Sequence, residues 1–533
     1  MNYTLHFCSI LFFFLVHLSI NAQKIERIDP PFWWVDMENP TLELIVKGTE
    51  LNDDVSIQAD GVELVKSELS ENKNYLFISL KITNSAKAQT LKLRSGKKTF
   101  KYQLKERSQE NKQLMGLSPK DFIYLITPDR FANGNTKNDV IKGMAEDSVN
   151  RAEPYARHGG DIAGMHSKID YLHDLGVTAL WINPLLENDQ PSASYHGYAI
   201  TDHYQIDPRF GSNEDYKNFI DDCHKKGIKI IMDVIYNHFG SEHYLIKDLP
   251  EQSFINQWPE FTQTNYRATT LHDPYASEKD KLLMTDGWFD KHMPDMNQRN
   301  EHLANYLIQN SIWWIEEFGI DAFRIDTYAY PDQGFMSQFA QAIEKEYPQF
   351  FMFGETWVHG PQVQSWYAEK SANKNFDSHL QSVTDFQFAF ALHKGLNEKH
   401  DWAKGINRLY YVLSGDYMYA EPSHLVTFID NHDIARMYGL YGKDMNKYKM
   451  ALALLMTSRG IPQMYYGTEI LMAATDGHGE IREDFWGGWQ EDSLNKFTKE
   501  GRSDLENEAF DFIQSLANFR KNSSALTEGK LVQ

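Results

Sequence analysis

Within Gly319-Ile320-Asp321-Ala322-Phe323-Arg324-Ile325-Asp326, a guanidinium and a carboxylate stand two residues apart in a short apolar run. Such a run suits a buried strand, and its period of two points Arg324 and Asp326 to the same side. Charges inside a sheet covered on both faces are costly unless they pair or do chemistry. A neighbouring Arg favours the ionised carboxylate, the form a nucleophile needs, although a structural ion pair would use the same residues. The design recurs. Asp233-Val234-Ile235-Tyr236-Asn237-His238, Gly354-Glu355-Thr356-Trp357 and Phe428-Ile429-Asp430-Asn431-His432-Asp433 each close an apolar run with acid or His residues. Three carboxylates (Asp326, Glu355, Asp433) meeting Arg and His suit cleavage of a glycosidic bond. One carboxylic acid protonates the leaving oxygen, and an ionised partner attacks the anomeric carbon or activates water. Asp326, beside Arg324, is expected to stay ionised. Glu355, flanked by Phe353 and Trp357, is expected to have a raised pKa and to act as acid and base. His238 and His432 neighbour the acids and could hold sugar hydroxyls.

The elements that must position these groups can be read from the pattern. From about residue 120, apolar runs beginning near Ile123, Thr178, Lys229, Asp321, Phe351, Val383, Leu425 and Pro462 alternate with amphipathic stretches. That alternation predicts βαβ units, and eight of them predict a (β/α)8 TIM barrel over residues 115–523, an α/β fold. Asp233, Asp326, Glu355 and Asp433 then sit at C-terminal strand ends, where barrel active sites lie. The long interval between the third and fourth runs predicts an inserted domain after strand 3, about residues 239–300. Before the barrel, residues 23–108 carry short strand-like runs between Gly, Asn and Asp turns, which predicts an N-terminal β-sandwich. The Pro30-Pro31-Phe32-Trp33-Trp34 cluster would be its core edge or an exposed sugar-stacking patch. Lys105 to Lys112 reads as a linker.

The chain has 533 residues, enough for more than one core, and an aromatic content of 14% that argues against disorder. A formal net charge of −21 disfavours nucleic acid and anionic membranes as partners. Residues 1–22 read as a signal peptide cut after Ala22, which predicts a periplasmic or secreted protein with no membrane attachment after cleavage. Cys223 is then the one cysteine of the mature chain and suits core packing. The stretch Asp129 to Asp139 offers several oxygen donors on an Asn/Gly loop, with Gly159-Gly160-Asp161 following. Hard donors of this kind suit Ca2+ rather than Zn2+, although the composition is also that of an ordinary turn.

These motifs together resemble the α-amylase superfamily, glycoside hydrolase family 13, from about Lys120 to Ser523. Its four signature stretches correspond to Asp233–His238, Gly319–Asp326, Gly354–Trp357 and Phe428–Asp433, supported by Gly176–Pro184 and Met293–Asn297. The resemblance implies that Asp326 is the nucleophile, Glu355 the acid/base and Asp433 the carboxylate that stabilises the transition state. It implies that Tyr198, His196, Asp233, His238, Arg324, Asn431 and His432 bind substrate, with Tyr198 stacked on the sugar. It also implies a calcium site at Asn133, Asn135, Asn138, Asp139, Gly159 and Asp161, and retention of anomeric configuration. The Pro-Pro-Phe-Trp-Trp opening and Met293–Asn297 resemble cyclomaltodextrinases and neopullulanases. Many of those carry Lys where this chain has Asp295, so the preferred linkage stays open. Arg482 to Trp489 resembles a loop of neopullulanase-like enzymes of starch-utilisation systems.

The resemblance therefore implies a retaining hydrolase of α-1,4 bonds in cyclodextrins, pullulan and maltooligosaccharides. Its alternatives are an α-glucan transglycosylase, an ordinary α-amylase and a non-catalytic glucan-binding protein. Residues 524–533 resemble the start of a C-terminal β-sandwich of which the rest is missing. A homodimer, with Pro30 to Trp34 as a rim, is the expected assembly if the N-terminal module covers a neighbour's cleft.

Overall fold

The computed structural model describes residues 24–108, 114, 116–372 and 376–532; the expected signal peptide and the second half of the expected linker, residues 109–112, lie outside them, while Lys105 ends a strand. The N-terminal module is built from β1 (Ile25–Asp29), β2 (Trp33–Trp34), β3 (Thr41–Gly48), β4 (Val55–Gln58), β5 (Val62–Leu69), β6 (Tyr75–Ile82), β7 (Gln89–Ser95) and β8 (Lys98–Lys105). They form two four-stranded sheets, ordered β1-β3-β6-β5 and β2-β8-β7-β4. β8 alternates buried Phe100, Tyr102 and Leu104 with exposed Thr99, Lys101 and Gln103, as a half-buried strand must. β3 is buried almost throughout because its sheet is also covered by the helix Glu301–Phe318. There Glu43 and Gln309 exchange two hydrogen bonds of 2.7 Å, and Phe77 stacks on His302 at 3.8 Å.

Trp33 and Trp34 are 2% and 3% exposed, and the Phe32 ring lies 5.3 Å from Trp313 of that same helix. Trp33 and Trp34 thus belong to the packed core, and Phe32 bridges module and barrel. Pro31 remains exposed beside them.

Eight parallel strands make the second body: β9 (Ile123–Ile126), β10 (Ala179–Ile182), β13 (Lys229–Val234), β14 (Ala322–Ile325), β15 (Phe351–Gly354), β16 (Ser382–Val383), β17 (Val426–Phe428) and β18 (Ile461–Tyr465). Their order is β16-β15-β14-β13-β10-β9-β18-β17, and a parallel bridge between Thr384 and Val426 joins the two ends into a barrel. A short antiparallel pair, β11 (Leu186–Glu187) and β12 (Asp202–Ile206), rises between β10 and β13. The connecting helices begin where side chains satisfy free amides. Ser212 and Asp215 form a capping box at Asn213–Lys225, and Asn300 accepts from Leu303 N at the head of Glu301–Phe318.

Between β13 and Glu301, residues 239–300 carry two short α-helices, Tyr244–Lys247 and Glu278–Asp286, and isolated bridges such as His238–Asp295. Cys223 is buried in the helix Asn213–Lys225, as its spacing predicts. After β18, the helix Asp504–Lys521 anchors through buried Arg520, which donates to the carbonyls of Met456, Ser458, Gly460 and Pro119. Residues Ser524–Thr527 then form a helical turn.

Candidate active site

Arg324, the third residue of β14, is the hub of the site. Its Nη1 lies 2.9 Å from Asp233 Oδ1 and 2.6 Å from Asp326 Oδ1, and its Nη2 lies 2.9 Å from Glu355 Oε1. Parallel register produces this: Asp233 of β13 is level with Arg324, and Phe353 of β15 is level with it on the other side. Asp326 and Glu355 therefore leave their strands one step further along, on the C-terminal rim of the barrel. Gly354 permits it, because a Cβ there would lie 2.5 Å from the Tyr328 ring. Thr327 takes a left-handed backbone (φ 44°), unusual for a β-branched residue, and turns its amide 2.9 Å from Glu355 Oε2.

Asp233 is fully engaged. Besides Arg324 it accepts from Trp181 Nε1 at 2.9 Å and from the Tyr198 hydroxyl at 3.0 Å, so it anchors side chains rather than offering a free oxygen. The Tyr198 oxygen accepts in turn from Asn183 Nδ2 at 2.8 Å and from His432 Nε2 at 2.7 Å, and the two rings lie nearly parallel. His196 also stacks on Tyr198, and its Nδ1 accepts the Tyr198 amide. His238 donates from Nε2 to the Tyr198 carbonyl at 3.1 Å while Nδ1 faces Asn237 Nδ2 at 3.2 Å. Both its nitrogens are thus held by protein groups. His432 Nδ1, in contrast, is buried without a partner and free to accept.

The Asn431 side-chain oxygen accepts from the backbone of Asp433 (2.9 Å) and Ile434 (3.1 Å), a local turn that sets the direction of Asp433. Asp433 is the most open of the three carboxylates and lies 3.0 Å from Arg482 Nη2 and 3.1 Å from His432 Nε2.

The protonation pattern differs from expectation at one residue. Burial pushes both Asp326 and Glu355 up to about 7, outweighing the opposing pull of Arg324; the charge of Asp233 raises Asp326 further, and that of Asp326 raises Glu355. Burial likewise lifts Asp233 to about 6. Adjacency to Arg324 alone does not keep Asp326 at an ordinary carboxylate pKa, because the same guanidinium is shared among three acids. Burial also keeps His196, His238 and His432 neutral, each lowered to about 3. Burial would raise Asp433 too, but the surrounding cationic groups win and hold it well below the usual range. His432 and His478 contribute to that lowering, and the permanent charges among these neighbours are those of Arg482 and Arg324.

Residues 125–529 match the α-amylase catalytic-domain family, and residues 27–108 match the N-terminal domain of cyclomaltodextrinases. The chain belongs to the α-amylase family. Among curated relatives it is 30% identical over 439 residues to a cyclomaltodextrin glucanotransferase of Geobacillus stearothermophilus, covering 78% of this chain and 56% of that protein. It is 29% identical over 428 residues to neopullulanase 2 of Thermoactinomyces vulgaris, covering 77% of this chain and 64% of the relative. The chain thus spans less than two thirds of the length of these relatives. Among solved structures, the α-amylase of Geobacillus thermoleovorans complexed with acarbose aligns with a TM-score of 0.62 at 28% identity, over 77% of this chain and 80% of the other.

Beyond the acids, this α-amylase-family barrel presents an oxygen-rich loop near β9. The side-chain oxygens of Asn133 and Asn138 are buried without partners, and Asp139 Oδ1 lies 2.8 Å from Asn133 Nδ2. Gly159 (φ 89°) closes on them so tightly that a Cβ would lie 2.9 Å from Asn133 Nδ2 and 3.0 Å from Asp139 Oδ1. Unpaired amide oxygens around a carboxylate fit a hard cation. Asn135 and Asp161 fit less directly. The Asn135 side chain is exposed and receives the Lys137 amide at 3.3 Å. Asp161 is occupied by the amides of Gly134, Asn135 and Gly164 and caps a short helix.

Several site residues were assigned no role in the sequence reading. Arg482, Trp181 and Asn183 were visible only as members of motif stretches. Phe289, which stacks on His238 at 5.2 Å, and Tyr330, 5.6 Å from Phe289, come from the inserted segment and the turn after Asp326. Tyr330 stands four residues beyond Asp326, a spacing that could have singled it out. Asp295 is buried, accepts from Asn256 Nδ2 at 2.7 Å, and is pushed well above the usual range by that burial.

Proposed function

We propose that this protein is a retaining α-glucan hydrolase that cleaves α-1,4-glucosidic bonds in cyclodextrins, pullulan and maltooligosaccharides. The observation that carries the reading is the sharing of one buried guanidinium by Asp326 and Glu355, with Asp433 at the same rim. Two carboxylates on one fork stay at the short range of direct attack, about 5 Å, rather than the wider gap that admits a water between them. Asp326 attacks the anomeric carbon as the glycosidic oxygen takes the proton of Glu355. A glucosyl ester forms on Asp326 and the leaving sugar departs. Glu355, now ionised, removes a proton from water, which attacks the same carbon and frees Asp326. The raised pKa values suit this, since near neutrality the pair readily holds one proton between them. Asp433, ionised throughout, stabilises the developing positive charge on the sugar ring.

The test is a product profile on γ-cyclodextrin, pullulan and soluble starch. Opening of γ-cyclodextrin and panose release from pullulan, with products born in the α configuration, supports the reading. No hydrolysis of any of the three, or β products, overturns it. A second reading, transfer of the glucosyl group to a sugar acceptor, is supported by the likeness to cyclomaltodextrin glucanotransferases. It predicts products longer than a maltooligosaccharide substrate.

We further infer that Asn133, Asn138, Asp139 and the Gly159 carbonyl would hold Ca2+, with Asn135 and Asp161 shaping the loop. Bound there, the ion would supply positive charge that neutralises Asp139 and ties the loop after β9 to the Gly159 segment. Secretion by the residue 1–22 leader is also proposed, and the mass of the protein recovered from its host checks it.

A further inference from the structure

We propose that the surface around Trp402, Tyr410 and Tyr411 is a second binding site for an α-glucan chain, separate from the carboxylate cleft; this rests on the substrate class proposed above. The site lies on the hairpin of helices Phe386–Asn397 and Asn407–Leu413 that follows β16. Trp402 is 87% exposed, and Tyr410 and Tyr411 are 52% and 58% exposed. Large rings held in water are unfavourable unless a partner covers them. These rings are not on a loose tip. Glu398 accepts a forked pair from Arg408 at 2.5 and 2.9 Å and also the Gly405 amide, closing the base of the loop. Asn407 Nδ2 donates to the carbonyls of Asp401 (2.9 Å) and Trp402 (3.4 Å), tying the loop to the helix.

Asn407, Tyr410 and Tyr411 stand at helical spacings of three and four, so they share one face, and Trp402 stands at its edge. Together with His400 and Asp401 they line a groove of about 570 Å³. Rings for the apolar faces of pyranoses, mixed with an imidazole, a carboxylate and an amide for their hydroxyls, match a neutral sugar chain. The formal charge of −21 disfavours polyanions. Six residues, half of them polar, offer far less apolar area than the roughly 800 Å² per partner of a stable protein interface. Among the described residues, none of the six shares a hydrogen bond, ion pair or ring contact with the carboxylate site.

Binding is read in amylopectin affinity gels with the full chain carrying Asp326→Asn, so that substrate persists. Adding Trp402→Ala should weaken retardation about five-fold, whereas Trp402→Phe, which keeps a ring, should retain most of it. In the catalytically intact background, Trp402→Ala should leave turnover of γ-cyclodextrin unchanged, which also shows that the variant folds. Equal retardation with and without Trp402, or no retardation of the Trp402-bearing protein, overturns the second site while hydrolysis of small glucans leaves the proposed function standing. Failure of both hydrolysis and binding instead removes the α-glucan reading itself.

Discussion

Arg482 Nη2 lies 3.0 Å from Asp433 Oδ1, and the same guanidinium donates from Nε to the His432 carbonyl at 2.9 Å. One side chain from beyond β18 therefore grips both the third carboxylate and the backbone that carries it. Asn431 closes the same turn from within. A buried charge-assisted contact of this kind orients Asp433 and keeps it ionised.

Replacing Arg482 with Ala should therefore lower kcat/KM about 10- to 100-fold, the loss expected of a charged hydrogen bond. Asp433 has a depressed pKa in the folded protein, so loss of Arg482 should raise it and move the acidic limb of the pH profile upward. Lys should not restore activity fully, because its single ammonium cannot reach Asp433 and the His432 carbonyl in the same fork. An unmoved acidic limb would show that Arg482 does not tune Asp433.

Asp326→Asn should reduce kcat on the order of 10⁴-fold, with binding of maltooligosaccharides retained. Glu355→Gln should behave differently. It should hydrolyse natural glucans poorly yet keep substantial activity on an aryl glucoside whose leaving group needs no proton. Equal losses on both substrates would deny Glu355 the acid role.

The Asp326 and Glu355 carboxyls are raised above their unfolded values, so their contribution to stability is complete below about pH 4 and is lost as pH rises through about 7. Asp326→Asn removes one of these groups and its charge on the other. It should raise the melting temperature at pH 8 more than at pH 5, and Glu355 should titrate at lower pH in the variant. Calorimetry at the two pH values reads the first, and carboxyl infrared titration the second.

Chelation by EDTA should lower the melting temperature if Asn133, Asn138 and Asp139 hold Ca2+, and added Ca2+ should restore it. Asp139→Ala should be less stable than the parent and indifferent to chelator. A chelator effect of the same size in that variant would place the ion elsewhere.

Arg107 joins the two bodies of the molecule. It is buried with Glu316 at 2.5 Å and Glu346 at 2.6 Å. Arg107→Ala would remove the cationic partner of two buried acids, which keep the Tyr347 hydroxyl and the Glu38 and Asn39 amides, and should destabilise by about 3–5 kcal/mol in urea unfolding. Turnover at low temperature should change little, since neither acid touches the carboxylate cleft.

Much of this architecture is legible along the chain because it is local. The eight apolar runs begin within one residue of the eight barrel strands, as expected when strand and helix periods alternate without long interruptions. Arg324 and Asp326 meet because a spacing of two on a strand leaves no other geometry. The C-terminal ends of the runs fall on one rim by the rule of parallel barrels, which is how Asp233, Glu355 and Asp433 could be placed beside them.

Other features depend on what the rest of the chain brings near, and no spacing reports that. Burial is a collective property, so the rise of Asp326 despite its Arg neighbour is decided by the strands and loops around it. Trp33 and Trp34 could face water or a core with the same sequence; the fold buries them, with Phe32 beside them meeting Trp313 of the helix Glu301–Phe318. Arg482 reaches Asp433 across 49 residues of chain, a meeting made by the close of the barrel. The sequence alone determined which acid, Arg and His residues close the apolar runs and the period that sets them on strand ends. The tertiary structure alone decided their protonation and which side chains hold them, because dielectric and long-range contact exist only once the chain has closed on itself.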